Sequence, residues 1–221
     1  MASEIISGEQ VRAAIARVAA RLGELGELLN RLDAAVGDGD LGITAVKGGA
    51  ALSDYITAKP PGDDLGAYLG GVGMAFNRAA SSTFGALAAT ALLRAGKEIK
   101  GASALDASSL ARALGAAVAG VQERGKARPG DKTLVDALHP AAEAFAAAVA
   151  SGQDSRTAAV SMLEAARAGR DAVVAHQSRI GRAAWVGERT RNQPDPGSVL
   201  VVQILEAILE TDYSLPPGTS P

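Results

Sequence analysis

The chain contains no cysteine, so disulfide bonds and thiolate metal sites are excluded. Aromatic residues make up only 3% of the sequence, and the two histidines, His139 and His176, do not have the spacing of zinc ligands. Every apolar run is shorter than the roughly 18 residues that a membrane helix requires. The N-terminal segment MASEIISGEQ lacks the basic and apolar regions of a signal peptide. We therefore expect a cytoplasmic protein without a membrane segment.

The charges are nearly balanced, with 22 Lys and Arg against 24 Asp and Glu. This balance predicts no general attraction to nucleic acid or to an acidic membrane surface. Four arginines between residues 176 and 196 are a local exception, but few aromatic side chains accompany them for stacking on bases. Nucleic acid is therefore not an expected partner.

Alanine and leucine are abundant and β-branched or aromatic runs are rare, which favours helix over strand. Ser7 and Gln10 have the spacing of a capping box, and apolar residues follow at intervals of three and four almost to Asp33. Further helices are predicted over residues 44–58, 64–78, 83–96, 106–123, 133–150, 154–175 and 197–210. Eight helices and no convincing strand predict one all-α domain over residues 1–210, followed by a disordered tail over residues 211–221.

Three carboxylates lie within eight residues, at Asp33, Asp38 and Asp40. Glycines alternate with Asp38 and Asp40 and permit a tight turn, while Asp33 lies at the end of the preceding helix. Carboxylates that converge without a nearby Lys or Arg repel one another, and a divalent cation removes that repulsion. Oxygen ligands suit Mg²⁺, which takes substrate phosphates as further ligands. The alternative is a solvated turn in which the aspartates only stabilise the backbone.

A run of small and hydroxyl residues opens the predicted helix that begins at Thr83. Hydroxyl groups and free backbone N–H groups at a helix N-terminus can bind an anion. The simpler alternative is ordinary N-capping by Ser82 or Thr83.

The segment from Gly125 to Thr133 is close to a Walker A loop, but Asp131 is inserted before the Lys-Thr pair and no strand precedes it. A P-loop NTPase is therefore rejected. The loop can still cover a nucleotide in front of the helix that follows.

Arg182 opens a polar segment that is rich in arginine and reaches Ser198. Its guanidinium can donate a pair of hydrogen bonds to a phosphate. Asp195, Pro196 and Gly197 turn the chain into the last helix. The alternative is an arginine-rich surface loop with Trp185 packed against the body of the protein.

The chain resembles the nucleotide-binding L subunit, or Dak2-type domain, of dihydroxyacetone kinases in four segments that follow one another in the family's order. They read LDAAVGDGDLG, SSTFG, RGKARPGDKT and GRAAWVGERTRNQPDPGS. The resemblance extends from about Ser7 to Glu210. It implies a barrel of eight antiparallel helices with a nucleotide site at one end, and a phosphotransferase activity.

The resemblance also implies a role for particular residues. Asp33, Asp38 and Asp40 match the ligands of a pair of Mg²⁺ ions that bridge the phosphates of ADP or ATP, and with Arg182 they form the expected catalytic set. The matching nucleotide contacts are Leu41, Gly42, Thr44, Ala80, Ser81, Ser82, Gly125, Thr133, Leu134, Arg182, Asp195, Pro196 and Gly197. The family often has His at the position of Leu41 and Asn at the position of Thr44, so these two replacements leave open the fine positioning of phosphate and the choice of substrate or donor.

The implied mechanism is positioning and electrostatic stabilisation of a transferred phosphoryl group. No residue of the sequence is a candidate base for the acceptor hydroxyl. In the family the ketose is bound by a separate K subunit or domain, which is therefore the expected partner. The phosphate donor stays open between ATP and a phosphotransferase-system M protein that rephosphorylates bound ADP. Two other functions stay open, a nucleotide-sensing regulator that docks on a partner protein and a metal-dependent phosphatase.

Overall fold

The computed structural model describes residues 5–216 of the 221-residue chain. These residues form ten α-helices and one pair of short antiparallel strands. The helices are α1 (Gly8–Glu24), α2 (Gly26–Val36), α3 (Leu41–Ala58), α4 (Leu65–Ala79), α5 (Thr83–Glu98), α6 (Ala107–Gly125), α7 (Val135–Ala150), α8 (Ser155–Ala172), α9 (Gly181–Val186) and α10 (Pro196–Leu209). The strands are β1 (Ile6–Ser7) and β2 (Ala104–Leu105), and a 3₁₀ turn, Gly187–Thr190, follows α9. The predicted all-α class is confirmed.

Polar side chains cap the helices where the sequence predicts them. The Ser7 hydroxyl accepts from the Gln10 backbone N–H at 3.3 Å, and the Gln10 side chain accepts from the Ser7 N–H at 2.8 Å, which completes the capping box. Asp106 caps α6 by accepting from the Ser109 N–H at 2.7 Å. Each cap satisfies backbone donors that have no partner within the helix.

The helix count differs from the predicted eight in two places. The predicted first helix is interrupted at Leu25, between α1 and α2. Gly26 lowers helix propensity there and allows close approach of α3, since a β-carbon on Gly26 would lie 2.9 Å from the Val46 side chain. The short helix α9 lies in a segment that the sequence indicated as irregular. The strands, of two residues each, are too short to produce an alternating pattern in the sequence.

Eight of the helices pack against one another in a closed series. Contacts join α1 to α3, α3 to α4, α4 to α5, α5 to α6, α6 to α7, α7 to α8, α8 to α10 and α10 to α1. One cluster of buried apolar side chains includes Leu29, Leu41, Ala80 and Leu200. It packs four parts of the fold together, namely α2, the start of α3, the residue that follows α4, and helix α10. These contacts support the predicted ring of eight helices, whose antiparallel barrel geometry stays a prediction. Within residues 5–216 no helix is both long and apolar enough to span a membrane.

Residues 211–216 belong to the predicted tail, whose disorder stays a prediction, and Ser214 among them contacts buried polar groups. The hydroxyl of Ser214 donates to Glu206 at 2.6 Å, and the Ser214 carbonyl accepts from Gln203 at 2.8 Å and from Arg170 at 3.1 Å. Glu206, Gln203 and Arg170 lie in the interior, where polar groups require partners. Residues 1–4 of the predicted domain and residues 217–221 of the predicted tail lie outside the described residues, and the domain boundary at residue 210 stays a prediction.

Candidate functional site

The acidic turn between α2 and α3 brings three carboxylates together. Asp33 lies in the last turn of α2, and Asp38 and Asp40 follow in the turn, where Gly39 adopts a left-handed backbone with φ of +76°. One oxygen from each of the three side chains lies within 4.8 Å of the other two. Asp33 is half-buried, and Asp38 and Asp40 are exposed. The arrangement offers a divalent cation several oxygen ligands on the protein surface.

Hydrogen bonds from the turn to Asp33 fix its shape. The Asp33 carboxylate accepts from the backbone N–H of Asp40 at 2.8 Å and from that of Leu41 at 3.1 Å. The backbone N–H of Gly37 donates to the Asp33 carbonyl at 2.5 Å. Asp33 therefore holds the turn and also contributes to the acidic cluster.

Asn30, one turn before Asp33 on the same helix, caps the start of α3. Its side-chain oxygen accepts from the backbone N–H groups of Gly42 at 2.8 Å and Ile43 at 3.3 Å. Glycine is required at position 42, because a β-carbon there would overlap the Gly26 carbonyl oxygen and the Asn30 side chain. Asn30 is absent from the residues predicted from sequence. The sequence signal that could have identified Asn30 is its spacing of three residues from Asp33, which places both side chains on one face of the helix.

Arg182 of α9 reaches the acidic cluster from the other side. Its guanidinium forms an ion pair with Asp38, and the same nitrogen lies 3.9 Å from an Asp40 oxygen. The sequence-based premise that no Lys or Arg lies near the three carboxylates is therefore wrong. The guanidinium offsets part of the repulsion between the carboxylates, and because all three side chains are exposed, water weakens this effect.

The predicted phosphate contacts at the start of α3 have protein acceptors in this structure. The N–H of Leu41 donates to Asp33, that of Gly42 to Asn30, and that of Thr44 to the Asp40 carbonyl at 3.1 Å. The side chains of Leu41 and Thr44 are buried. Their contact with phosphate stays a prediction.

The predicted turn at residues 80–82 leads directly into α5. Ser82 caps this helix by accepting from the Gly85 N–H at 3.0 Å, as the simpler sequence alternative anticipated. Ser81 is exposed, whereas Ala80 is buried in the same apolar cluster as Leu41. The starts of α3 and α5 are thus anchored to one core.

The loop over residues 126–134 joins α6, which ends at Gly125, to α7. The buried carboxylate of Asp136 shapes it, accepting from the N–H of Gly130 at 2.5 Å and from that of Thr133 at 2.8 Å. Asp136 is also absent from the residues predicted from sequence. No local pattern distinguishes it from any other carboxylate in the first turn of a helix.

The side chain of Lys132, within this loop, points into the protein, whereas the lysine of a Walker A loop contacts the nucleotide phosphates. The Lys132 side chain is 1% exposed, and its ammonium donates to the carbonyl oxygens of Val174 at 2.8 Å, His176 at 2.8 Å and Thr190 at 2.5 Å. Burial lowers the pKa of Lys132, an effect that the Asp195 carboxylate partly opposes. The rejection of a P-loop agrees with this geometry.

Asp195 caps α10 and adjoins the loop over residues 126–134. Its carboxylate accepts from the Ser198 N–H at 2.6 Å, and a β-carbon on Gly197 would lie 3.4 Å from the Leu134 β-carbon. Burial, reinforced by the charge of Asp136, raises the pKa of Asp195 to about 7, although bonding to Ser198 opposes the shift. Two predicted nucleotide-binding segments, at Leu134 and at Pro196–Gly197, are therefore neighbours.

Trp185, the single tryptophan, is 89% exposed on α9. The alternative in which Trp185 packs against the body of the protein is therefore wrong. Nothing in the sequence pattern reports this exposure, because α9 is too short to show a periodic apolar face.

An all-α domain with a carboxylate cluster and an arginine beside the N-termini of helices has the features of a domain that binds a metal and an anion. The family is defined by a match to the DAK2 domain model over residues 35–210. The chain belongs to the DAK2 domain family.

Curated relatives cover most of the chain. It is 32% identical over 194 residues to human triokinase/FMN cyclase, covering 88% of this chain and 33% of that protein. It is also 32% identical over 194 residues to the ADP-binding subunit DhaL of PEP-dependent dihydroxyacetone kinase 1 from Listeria innocua, covering 88% of this chain and 91% of that subunit. The Escherichia coli DhaL subunit is 28% identical over 182 residues, covering 82% of this chain and 86% of that subunit. The chain spans about a third of the length of the triokinase relatives.

The fold matches a solved kinase structure. The dihydroxyacetone kinase of C. freundii in complex with AMP-PNP and Mg²⁺ superposes with a TM-score of 0.71 at 24% identity, covering 95% of this chain and 35% of that chain. At this identity the match shows the shared fold.

Proposed function

We propose that this chain is the nucleotide-binding subunit or domain of a kinase that phosphorylates dihydroxyacetone or a related short ketose. The observation that carries the proposal is the convergence of Asp33, Asp38 and Asp40 within 4.8 Å beside Arg182. Relatives named as ADP-binding subunits of dihydroxyacetone kinases, 32% and 28% identical, support the reaction class.

The donor set fits magnesium. Opposite ligands of one Mg²⁺ ion are about 4.2 Å apart. The three carboxylate oxygens lie within 4.8 Å of one another, and Asp38 and Asp40 are exposed, so side-chain rotation, with Arg182 released from Asp38, would let them serve one ion or two. A pair of Mg²⁺ ions held there would neutralise phosphate charge and orient the terminal phosphoryl group. In this proposal Asp33 keeps the turn closed while Asp38 and Asp40 supply most of the ligand oxygens.

The remaining predicted residues surround the phosphates and the nucleoside. Arg182 releases Asp38 and donates its paired N–H groups to phosphate oxygens. The starts of α3 and α5 provide Leu41, Gly42, Thr44, Ala80, Ser81 and Ser82. The end of α6, the covering loop over residues 126–134 and the start of α10 provide Gly125, Thr133, Leu134, Asp195, Pro196 and Gly197. Helix N-termini favour anions, so both groups support a bound phosphate chain.

The acceptor belongs to another protein or domain in this proposal. Within residues 5–216 the acidic cluster consists of three aspartates and includes no histidine, so it offers no imidazole as a base. A separate K subunit would therefore bind the ketose and meet the nucleotide at this end of the helices. The phosphate donor is either ATP or a phosphotransferase-system M protein that rephosphorylates bound ADP.

Reconstitution tests the proposal. The chain is mixed with candidate K subunits, Mg²⁺, dihydroxyacetone and either ATP or an M protein with its phosphate source, and the sugar phosphate is measured. Product is expected only when this chain and a K subunit are both present. It should be lost with Asp38→Asn and kept with Asp54→Asn, an exposed aspartate of α3.

Other outcomes would replace the proposal. Tight Mg-ADP binding without product for any K subunit, together with binding to a transcription factor, would indicate a nucleotide-sensing regulator. Release of phosphate from sugar phosphates by this chain alone would indicate a metal-dependent phosphatase.

A further inference from the structure

Lys132 is a fully buried lysine in a surface loop. Its backbone adopts the left-handed conformation, with φ of +63°, which non-glycine residues rarely occupy. Its three ammonium hydrogens match three carbonyl acceptors, at Val174, His176 and Thr190. Lysine is almost never fully buried without such partners, so the local backbone is built around this side chain.

We call residues 177–189, which include α9, the excursion. The three carbonyl acceptors lie at its base, where the excursion leaves and rejoins the rest of the chain. His176 precedes this excursion and Thr190 follows it. Further bonds close the same base, since the Asn192 N–H donates to Val174 at 2.9 Å and the Ser178 N–H donates to the Thr190 hydroxyl at 2.9 Å. The ammonium of Lys132 therefore holds both ends of the excursion at one point.

Arg182 lies on this excursion. It lies in the first turn of α9, four residues beyond Ser178 at the closed base, and reaches outward to the ion pair with Asp38. A shift at the base of the excursion would move the guanidinium relative to the acidic cluster.

The backbone next to Lys132 belongs to the covering loop. The Asp131 carbonyl accepts from the Arg179 N–H at 3.0 Å, and the Thr133 N–H donates to Asp136 at 2.8 Å. The covering loop is consequently joined to the excursion at Asp131 as well as at Lys132, and it is fixed to α7 at Thr133. A displacement of the loop or of the excursion would strain these bonds and so act on the other segment.

We infer that Lys132 is a positioning residue, which couples the covering loop over residues 126–134 to the excursion that carries Arg182. This inference rests on the proposed function. Lys132 acts through Arg182 and the loop, because its donors are all used by backbone carbonyls and none is left for phosphate. If Lys132 only stabilised the fold, its substitution would lower the melting temperature without a specific effect on nucleotide binding.

Calorimetry of ADP binding with Mg²⁺ on the full chain separates these two roles. Lys132→Met keeps the length of the side chain and removes the ammonium. We expect ~10- to 100-fold weaker binding, because small displacements of a positioned group have effects of this size. The control is Leu163→Ala on α8, a buried apolar substitution that lowers stability and should leave the affinity within about twofold.

A double-mutant cycle with Arg182→Ala tests the coupling directly. The loss of affinity from Arg182→Ala should be much smaller in the Lys132→Met background than in the wild type. Additive losses, or unchanged affinity in Lys132→Met with only a lower melting temperature, would overturn the inference.

Hydrogen exchange of the wild-type chain tests the same coupling if Lys132→Met does not fold. Mg-ADP should increase protection in residues 126–134 and in residues 174–192 together. Protection confined to the covering loop would contradict the inference and leave the proposed function intact. Absence of any Mg-ADP binding by the wild type would overturn both.

Discussion

The guanidinium of Arg182 is ion-paired with the carboxylate of Asp38, and the two residues come from segments far apart in the chain. The pair places a protein cation where the proposed Mg²⁺ ions would bind. Both side chains are substantially exposed, so the pair is weak enough to open. We expect Arg182 to change partner from Asp38 to phosphate when the Mg-nucleotide binds.

Arg182→Ala should therefore tighten the binding of free Mg²⁺ or Mn²⁺ in the absence of nucleotide. The gain should be about two- to fivefold, the range expected from the loss of an exposed ion pair that competes with the metal. Calorimetric titration with Mn²⁺ measures it. The matched control is Arg179→Ala on the same segment, whose guanidinium lies 4.0 Å from Asp131, and it should leave the affinity unchanged. Weaker metal binding in Arg182→Ala would contradict the competition.

Asn30→Ala should destabilise the protein by about 1 kcal/mol, since it removes the cap on Gly42 and Ile43 at the start of α3. Urea unfolding followed by circular dichroism gives the free energy of unfolding. Asn77→Ala, at a half-buried position of α4 that caps no helix start, is the comparison. A loss below about 0.3 kcal/mol in Asn30→Ala would show that water replaces the cap.

Asp195→Asn should remove a specific pH dependence of stability. The folded pKa of about 7 lies above the ordinary 3.8, so the folded protein keeps a proton that the unfolded chain releases. The free energy of unfolding of the wild type should therefore fall relative to Asp195→Asn as the pH rises from about 4 to about 7, and then level off.

Urea unfolding at pH 5 and pH 8 measures this difference. The contributions of the two histidines to the pH dependence cancel, because both proteins contain them. Asp154→Asn is the control, because Asp154 is also an N-cap but its pKa is lowered by bonds to Thr157. For that variant the difference from wild type should be the same at both pH values. If the difference between Asp195→Asn and the wild type is also the same at pH 5 and pH 8, Asp195 is ionised over this whole range.

Trp185→Phe should change the free energy of unfolding by less than about 0.5 kcal/mol, because the side chain is 89% exposed. In the wild type, this single tryptophan should be fully accessible to a soluble fluorescence quencher, and Mg-ADP should alter its emission because Arg182 lies on the same short helix. Quenching experiments with and without Mg-ADP measure both effects. Strong protection of the unliganded protein from the quencher would show that Trp185 is covered.

Local features of the fold were predictable from the sequence because helix caps and apolar periodicity act over a few residues. Ser7, Gln10 and Asp106 mark helix starts as predicted. The break at Leu25 was not predictable, since the apolar spacing continues through it and the glycine beside it matters only because α3 packs there.

The acidic cluster was predictable for a similar reason, because Asp33, Asp38 and Asp40 lie in one short turn. The partners that shape the site were not. Arg182 pairs with Asp38, and Lys132 contacts Thr190, across long stretches of chain that only the tertiary fold brings together. Asn30 and Asp136 are ordinary helix residues until the segments that they cap are in place.

Calorimetry of ADP with and without Mg²⁺ tests the assignment of the magnesium site most directly, using the wild type, Asp38→Asn and Asp40→Asn. Each substitution removes one charged ligand oxygen, so the Mg²⁺-dependent affinity should fall at least ~10-fold, as is common when a charged partner is lost. Asp54→Asn, an exposed aspartate further along α3, should behave as the wild type. Unchanged Mg²⁺-dependent affinity in both Asp38→Asn and Asp40→Asn would contradict the assignment of this carboxylate cluster as the magnesium and nucleotide site.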